Sequence, residues 1–414
     1  MRPSRRGFTL IELLVGGAVG AVVLLGISLT FISQARQYQT HASRRAIQSN
    51  ARQAMSFMTR NIRAAGYGVN PDRAVMAYDS YNASADAAQN GYPDALVVHS
   101  RDLLFRRDVT AADPSSLTVD TPIPLLHRGQ ILLVLCRSAT TTNHAFVTVG
   151  QRVENSSTIP LDPTDPSGAP NSPTAMPGRL FHEQNLLNAN CYDTAQVVKV
   201  NRAAFYVDAF AEPGNDRRTP YLMMHQGLDL DNNGTIDSTD SVPIAEGIEQ
   251  LQIAYILNLN ITTTGNKPPL VVGVNEATPS THYGEQWQTL IPTQVTARGA
   301  KWYMAALTST EMAAYEEDSP VNIRQVRLTL VSRSSMPDQQ HRGDDLMLPN
   351  EGAEIEGITP WRQLENLSVT GATADTNDFT PQAGGFYRAI FREAVTTKNL
   401  QLSSQFVATT ESGG

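Results

Sequence analysis

A long apolar segment near the N-terminus decides the fold of this chain: residues 8–32 read FTLIELLVGGAVGAVVLLGISLTFI. These 25 residues contain no proline and one charged residue, Glu12. As a helix with a rise of about 1.5 Å per residue, the segment would be about 37 Å long, enough to cross a bilayer core of about 30 Å. The sequence therefore predicts a transmembrane helix at residues 8–32.

A short basic leader, residues 1–7, precedes this segment and ends at Gly7. Its three arginines put the N-terminus in the cytoplasm by the positive-inside rule, and the rest of the chain on the far side of the membrane. A secretory signal peptide has a shorter apolar core with a small-residue cleavage site at its far end. The best cleavage position here, between Gly7 and Phe8, lies before the apolar run, so we expect the helix to be retained.

Glu12 is the anomaly of the segment, because a carboxylate within a membrane span costs about 2.5–3.5 kcal/mol even on the mild insertion scales. One interpretation is a carboxylate near the helix end that reaches the headgroups or is protonated. The other is a carboxylate with a partner, which would neutralise it when both charges leave water. The sequence alone leaves both interpretations open.

The order Arg5-Arg6-Gly7-Phe8-Thr9-Leu10-Ile11-Glu12 resembles the processing and assembly signal of type IV prepilins and type II secretion pseudopilins. The resemblance implies that prepilin peptidase cuts between Gly7 and Phe8 and methylates the new N-terminus at Phe8. The helix would then become part of a filament core. Glu12 would pair with the free α-amine of a neighbouring subunit during assembly.

Four later segments resemble PilW-type minor pilins of the type IV pilus. This implies a subunit of a Gram-negative inner membrane with a periplasmic globular domain. It would prime pilus assembly with other minor pilins, the major pilin and the pilus assembly platform, and be incorporated at or near the tip at the cell surface. Twitching motility and adhesion would follow from the pilus. The segments are Gln130–Cys136, Ala245–Ile253, Val326–Ser334 and Phe386–Phe391.

Two other functions share part of this pattern. A minor pseudopilin of a type II secretion system has the same N-terminal signal, although the long tip subunit of those systems typically lacks the glutamate found here as Glu12. A pilus-tip adhesin would use the large insertions to bind a surface. The chain has no GxSxG motif, no phosphate-binding glycine loop and no cysteine–histidine signature, so we expect no enzyme.

The charge of the chain argues against direct binding of nucleic acid. There are 32 Lys and Arg against 40 Asp and Glu, which gives a net charge of -8. Removal of the leader deletes three arginines, so 29 basic residues remain and the net charge becomes -11. An acidic domain is repelled by the phosphate backbone.

The chain contains two cysteines, Cys136 and Cys191. A disulfide between them is the simplest expectation in an oxidising periplasm, and two buried free thiols are the alternative. A metal site made from two separate cysteines without CxxC spacing is improbable.

The helical pattern continues beyond the apolar segment. Residues 33–65 contain no proline or glycine, and apolar residues recur at steps of three and four, which predicts one buried helical face. We expect residues 33–65 to be a periplasmic continuation of the helix that ends at Gly66 and packs against a globular domain. The apolar positions are Ile47, Ala51, Ala54, Met55, Met58 and Ile62.

After Gly66 the pattern changes to strands and polar loops. We expect an α+β fold of the type IV pilin-like kind, with a long N-terminal helix packed on an antiparallel β-sheet domain with large loop insertions. Residues 66–414 would form this domain, in one lobe or two. Val326–Val331 alternates apolar and polar residues as a half-exposed strand does. Further strands are expected at Ala95–His99, Gln130–Leu135, Ala145–Val149, Gln196–Val207, Ile248–Leu257 and Ala389–Val395, and loops at Asn155–Gly178, Asn260–Ser280 and Met336–Gly352.

Residues 229–240 read DLDNNGTIDSTD and match a twelve-residue calcium loop. Oxygen ligands fall at the first, third, fifth, seventh and ninth positions, and a glycine at the sixth supplies the sharp turn. An aspartate at the twelfth position replaces the usual glutamate and is one methylene shorter. We expect a structural calcium site of modest affinity. Its ligands would be Asp229, Asp231, Asn233, the Thr235 carbonyl, Asp237 and Asp240.

Overall fold

One long helix dominates the N-terminal part of the structure. Helix α1 (Leu10–Ala64) has 55 residues and is therefore about 82 Å long. Thr9 is its N-cap, and Phe8 lies outside the described residues. The structure is a computed structural model, and it describes residues 9–69, 74–78, 93–113, 115–137, 142–162, 195–211, 218–257, 270–272, 323–335, 363–364, 367–368 and 386–400.

The two halves of α1 have opposite surroundings. Residues 9–39 are all exposed, although the most apolar stretch of 18 residues has a mean hydropathy of 2.4. The helix is thus long and apolar enough to cross a membrane. In the second half a stripe of apolar residues is buried, as the spacing predicted. The buried apolar residues are Ile47, Ala51, Ala54, Met55, Met58 and Ile62.

The end of α1 is set by a tight turn at Gly66, which has a φ of 78°. This left-handed conformation favours glycine because it has no Cβ. A Cβ at this position would also lie 2.8 Å from Cδ2 of the Leu400 side chain. Gly66 is therefore confirmed as the residue that ends the helix, both by its own backbone and by what packs against it.

The described residues after the helix form fifteen strands, and every pairing among them is antiparallel. The strands are β1 (Val75–Tyr78), β2 (Ala95–Asp113), β3 (Ser116–Leu126), β4 (Ile131–Arg137), β5 (Thr142–Thr148), β6 (Val153–Pro160), β7 (Gln196–Ala211), β8 (Arg218–His225), β9 (Val242–Glu246), β10 (Ile248–Leu257), β11 (Leu270–Val272), β12 (Ile323–Arg333), β13 (Gln363–Leu364), β14 (Leu367–Ser368) and β15 (Arg388–Thr396).

These strands make two main sheets. The larger runs in the order β5-β4-β7-β2-β3-β6, with β1 paired to β2, β8 paired to β7, and β9 paired to β8. The smaller runs in the order β11-β10-β12-β15, and β13 pairs with β14 as a separate ribbon. The expected α+β class is therefore confirmed, with a long N-terminal helix followed by antiparallel sheets.

Two clusters of buried apolar residues hold the strands together. The first joins the second half of α1 to both sheets, where Met58 and Ile62 pack with Phe205 of β7 and Leu328 of β12. The second contains no residue of α1 and lies among β2 to β7, around residues such as Leu132. The helix thus covers one part of the sheets, while the other part forms a core from strand side chains.

A buried ion pair ties the smaller sheet together beside the first cluster. Arg388 of β15 donates from Nε to Glu249 Oε2 at 2.6 Å and from Nη2 to Oε1 at 3.1 Å. A second guanidinium, from Arg333 of β12, lies 3.9 Å from Glu249 Oε1 and 4.3 Å from the ring centre of Phe386. The three charged side chains are 1%, 9% and 4% exposed for Arg388, Glu249 and Arg333. The strands β10, β12 and β15 therefore meet at one carboxylate.

The structure corrects three of the sequence-based expectations. The expected loop Asn155–Gly178 is wrong at its start, because residues 155–160 belong to β6, which pairs with β3 and buries Ile159. The expected loop Asn260–Ser280 contains β11, which pairs with β10. Strand β12 is not half exposed: Thr329 and Leu330, which point to opposite faces, are 1% and 0% exposed, so both faces are covered there. The expected loop Met336–Gly352 lies outside the described residues.

The Glu249→Gln substitution should destabilise the domain strongly. It keeps the shape of the side chain but removes the negative charge that the buried Arg388 guanidinium contacts, which typically lowers the free energy of unfolding by about 3–5 kcal/mol. Thermal unfolding of the full chain in detergent measures this loss. The matched control is Glu154→Gln, whose partner Arg152 is 3.4 Å away in an exposed pair and should change stability by less than about 1 kcal/mol. Equal losses in the two variants would contradict a special role for the buried pair.

Candidate functional sites: the N-terminal segment and an acidic loop

Glu12 lies in the first turn of α1 and forms a capping box with Thr9. Its Oε2 accepts hydrogen bonds from the Thr9 backbone N–H at 2.9 Å and from Thr9 Oγ1 at 3.0 Å, and its own N–H donates to Thr9 Oγ1 at 3.3 Å. The carboxylate is thus turned toward the N-terminal end of the helix, where the helix dipole favours a negative charge.

Thr9 is a site residue that our sequence reasoning missed. The signal was present, because a threonine three residues before a glutamate at the start of a helical run is the sequence signature of a capping box. Thr9 also changes the question about Glu12. In the single chain the Glu12 carboxylate accepts hydrogen bonds from the backbone N–H and the hydroxyl of Thr9, so part of its hydrogen-bonding capacity is satisfied within the chain.

The small residues of the apolar segment lie on an open surface. A Cβ added at Gly16, Gly17, Gly20 or Gly26 would meet no atom within 4 Å. Nothing within the described chain therefore requires glycine at these four positions. Small residues on a membrane helix allow a second helix to approach closely. Contact with a helix of another chain would therefore explain these glycines.

The acidic loop lies between β8 and β9 and gathers three carboxylates. One carboxylate oxygen from each of Asp229, Asp231 and Asp240 lies within 4.8 Å of the other two. Calcium binds oxygen ligands at about 2.3–2.6 Å, so two of its ligands can be up to about 5 Å apart. The spacing therefore fits a single shared cation. Asp229 and Asp240 are each 3% exposed, and Asp231 is exposed.

The backbone of the loop is shaped by two residues with a left-handed conformation, Asn232 at φ 60° and Gly234 at φ 87°. Asp229 accepts hydrogen bonds from the backbone N–H groups of Asn233 and Gly234, at 3.1 Å and 2.9 Å. Ile236 is 8% exposed and anchors the loop to the domain. The expected turn at Gly234 is therefore present.

The C-terminal half of the loop is organised by Asp240 and Asp237. Asp240 accepts from the backbone N–H groups of Leu230 at 2.6 Å and of Asp237 at 3.1 Å. Asp237 caps the 3-10 turn that follows it, and hydrogen bonds from the hydroxyl and N–H of Thr239 hold the pKa of the Asp237 carboxyl below its usual value. Asp237 is not part of the three-carboxylate cluster.

The remaining expected ligands form hydrogen bonds within the loop. Asn233 Oδ1 accepts from the Thr235 backbone N–H at 2.7 Å and from the Thr235 hydroxyl. That hydroxyl is also 3.1 Å from Asp237 Oδ2. The structure thus brings Asp229, Asp231 and Asp240 together, while Asn233, Thr235 and Asp237 form a connected chain of hydrogen bonds beside them.

Two histidines fix the loop to the domain, and the sequence pattern did not point to them. His225 is fully buried, and its Nδ1 accepts from the Gly227 N–H at 2.8 Å. Its Nε2 therefore carries the proton and donates to the Asp237 carbonyl at 3.0 Å. His127 Nδ1 lies 3.1 Å from the Asp229 carbonyl oxygen. His127 is 102 positions from its partner, so spacing could not reveal this contact.

The expected disulfide cannot be placed on the fold. Cys191 lies outside the described residues, as does the side chain of Cys136, whose backbone belongs to β4. The pairing of the two cysteines stays a prediction.

Comparison with known proteins identifies the N-terminal segment. Residues 2–28 match the family described as the prokaryotic N-terminal methylation motif. No curated protein and no solved structure matches the chain. This match supports a type IV pilin-like protein, a group of structural rather than enzymatic proteins, and together with the apolar helix it supports anchoring through the N-terminus. The match ends within the apolar half of α1, so it does not cover the sheets or the acidic loop.

Proposed function

We propose that this chain is a PilW-type minor pilin that primes type IV pilus assembly and is incorporated at or near the tip. The observation that carries the proposal is a methylation motif on a helix whose apolar half is fully exposed and whose other half is part of a folded domain. The apolar surface of such a helix must be covered by lipid before assembly and by other helices in the filament. The function of the subunit is then assembly rather than catalysis.

The exposed half of α1 supports a change of surroundings, from membrane lipid to the helices of other subunits. Large side chains such as Leu14, Val22 and Phe31 are 63%, 69% and 69% exposed. At about 25 cal/mol per Å² of apolar surface, leaving this stretch in water would be very unfavourable. The inner membrane covers it before assembly, and helices of the other minor pilins and the major pilin cover it afterwards.

Glu12 is the proposed contact that sets the position of one helix relative to the next. Cleavage after Gly7 would leave a free α-amine on Phe8, directly before the N-cap Thr9. The Glu12 carboxylate is already turned to that end of the helix. We propose that it pairs with the Phe8 amine of a neighbouring subunit. The same N-terminal segment would serve a minor pseudopilin of a type II secretion system, so the experiment must separate the two.

Cleavage and methylation can be measured directly on the mature chain. The mature chain should begin at Phe8 and should be heavier at its N-terminus by one methyl group, which mass spectrometry of the N-terminal peptide measures. The Gly7→Leu variant should keep residues 1–7, because the bulky side chain blocks the cleavage position. Ser4→Leu adds similar bulk elsewhere in the leader and should be processed normally. An unprocessed wild-type chain would contradict the proposal.

Substitutions at Glu12 and Thr9 separate the effect of the Glu12 charge from the effect of helix capping. In a strain that lacks the wild-type gene, Glu12→Ala and Glu12→Gln should both reduce pilus number by about tenfold or more, since either substitution removes a charge pair that is worth at least about 1.4 kcal/mol. Gln can still accept from Thr9, and Thr9→Ala, which removes only the cap hydroxyl, should be piliated. Electron microscopy gives the pilus count.

Type II secretion, assayed in the same strains, is the control for the alternative function. Lost pili with intact secretion would support a minor pilin. Normal pili with failed secretion would identify a pseudopilin, and normal results in both assays would favour a tip adhesin. Loss of pili in Glu12→Ala with normal piliation of Glu12→Gln would show that hydrogen bonding in the cap, not charge pairing, is the role of this residue.

We also propose that residues 229–240 bind a structural calcium ion. Asp229, Asp231 and Asp240 would supply carboxylate oxygens, and the Thr235 carbonyl with Asn233 and Asp237 would complete the shell. Three carboxylates this close repel one another, and two of them are nearly fully buried. A divalent cation would remove that repulsion and order the loop between β8 and β9. Ligand number and loop flexibility suit calcium better than magnesium.

Thermal unfolding of the full chain in detergent tests the calcium site. Calcium should raise the Tm of the wild type, by the equivalent of about 2.7 kcal/mol when its concentration is 100 times the Kd. Asp231→Asn should weaken this response without disturbing the fold, because Asp231 is exposed. Asp120→Asn changes an exposed aspartate of β3 by the same charge and should respond as the wild type. A response that Asp231→Asn leaves intact, or that magnesium reproduces fully, would contradict the proposal.

A further inference from the structure

A groove of about 580 Å³ lies between the second half of α1 and the strand β15. Six of its lining residues come from one side of the helix at steps of three, one, three, one and three, which place them along a single helical face. The strand supplies the opposite wall through three consecutive residues, beginning at Phe391. The helix residues on this face are Arg52, Met55, Ser56, Thr59, Arg60 and Arg63.

The groove carries an excess of positive charge in an acidic protein. Arg52, Arg60 and Arg63 are exposed and line it, together with Arg392, against one carboxylate, Glu393. In the part of the chain that the structure describes, no ion pair is formed by the three helix arginines. Arg63 in the last turn is favoured by the helix dipole. That effect does not extend to Arg52, which lies three turns before the helix end.

A buried hydroxyl in the same wall has no partner. Thr59 is 6% exposed and lines the groove, and its Oγ1 forms no hydrogen bond within the described residues. A buried polar atom without a partner is unfavourable by about 1–3 kcal/mol. A ligand in the groove that accepts or donates a hydrogen bond would remove this penalty.

The floor and the far wall of the groove restrict the kind of ligand. Met55 is 6% exposed and Phe391 is partly buried, so the floor is apolar. Consecutive strand side chains point to opposite faces, yet residues 391–393 all line the groove, so the groove meets β15 at its edge. Among the strands described, β15 pairs with β12 on one side and with no strand on the other. The free edge can accept an extended peptide.

We propose that this groove binds an extended acidic segment of a partner protein. Carboxylates of the segment would pair with Arg52, Arg60 and Arg63, and its apolar side chains would cover Met55 and Phe391. The three arginines span about 16 Å along the helix, which corresponds to about five residues of extended chain. The apolar floor of Met55 and Phe391 favours a polypeptide with apolar side chains over a nucleic acid.

If the partner is a neighbouring subunit, that identification rests on the proposed function. Binding of an acidic segment in the groove does not depend on it. The exposed half of α1 places other subunits beside this helix in the proposed assembly, which brings their surfaces to the groove. The test below uses the isolated chain, so it can fail while pilus assembly stands, and it can succeed if the chain belongs to another filament.

The test is fluorescence anisotropy with the full chain in non-ionic detergent and a labelled peptide of about seven residues that alternates glutamate and valine. Wild-type protein should bind this peptide saturably and should not bind its lysine–valine counterpart. Arg60→Glu should weaken binding by about tenfold or more, because it replaces a charge-assisted hydrogen bond by repulsion. The matched control is Arg152→Glu, an exposed arginine of the other sheet with the same charge change. Its affinity should stay within about twofold.

Thr59→Val tests the buried hydroxyl and should weaken peptide binding while raising the Tm of the free chain, because it removes an unpaired polar atom. No saturable binding of the acidic peptide, or equal weakening by Arg60→Glu and Arg152→Glu, would overturn the proposal. A thymidine oligonucleotide that binds more tightly than the peptide and is lost in Arg60→Glu would also overturn it, in favour of a nucleic-acid site. Thermal unfolding of each variant confirms that it is folded.

Discussion

The continuity of α1 through two environments is the constraint on which the rest of the structure depends. No proline separates its exposed apolar half from the half that the sheets bury, and the two halves form one continuous helix. The stripe from Ile47 to Ile62 decides which face the sheets cover, and a rigid helix carries that orientation to Leu10. The position of the domain relative to a membrane or a filament is therefore set by packing more than 50 Å from the N-terminus, at about 1.5 Å per residue.

The helix could be predicted from sequence because its signals are local: spacing of apolar residues, absence of breakers and the glycine at its end. A buried strand such as β4 was also predictable, since a continuous aliphatic run marks it. The failures share a cause. Strand β6 is mostly polar and is held by pairing with β3, and β2 continues past His99 through Arg106 after a register shift. Such strands depend on partners that are distant in sequence, and no local pattern encodes them.

The acidic loop was also predictable from sequence only in part. Its twelve positions could be read as a calcium loop, and the turn at Gly234 follows from the sequence. What the pattern did not reveal is how the loop keeps its shape: Asp240 accepts three backbone N–H groups, and the buried His225 holds the Asp237 carbonyl. These bonds preorganise the carboxylates, so an ion that binds would pay little to order the loop. The aspartate at the twelfth position uses both of its carboxylate oxygens to accept backbone N–H groups.

The capping box at the start of α1 bears on the energetics of the proposed assembly. A capping side chain is worth about 0.5–2 kcal/mol, whereas a carboxylate inside a membrane helix is unfavourable by about 2.5–3.5 kcal/mol. Thr9 therefore offsets only part of the penalty for Glu12, and the remainder favours a cationic partner. Because the cap holds the carboxylate at the N-terminal end of the helix, an amine that approaches there meets it without a change of rotamer. In the proposed assembly, one orientation of the Glu12 side chain would then serve both the cap and the pair.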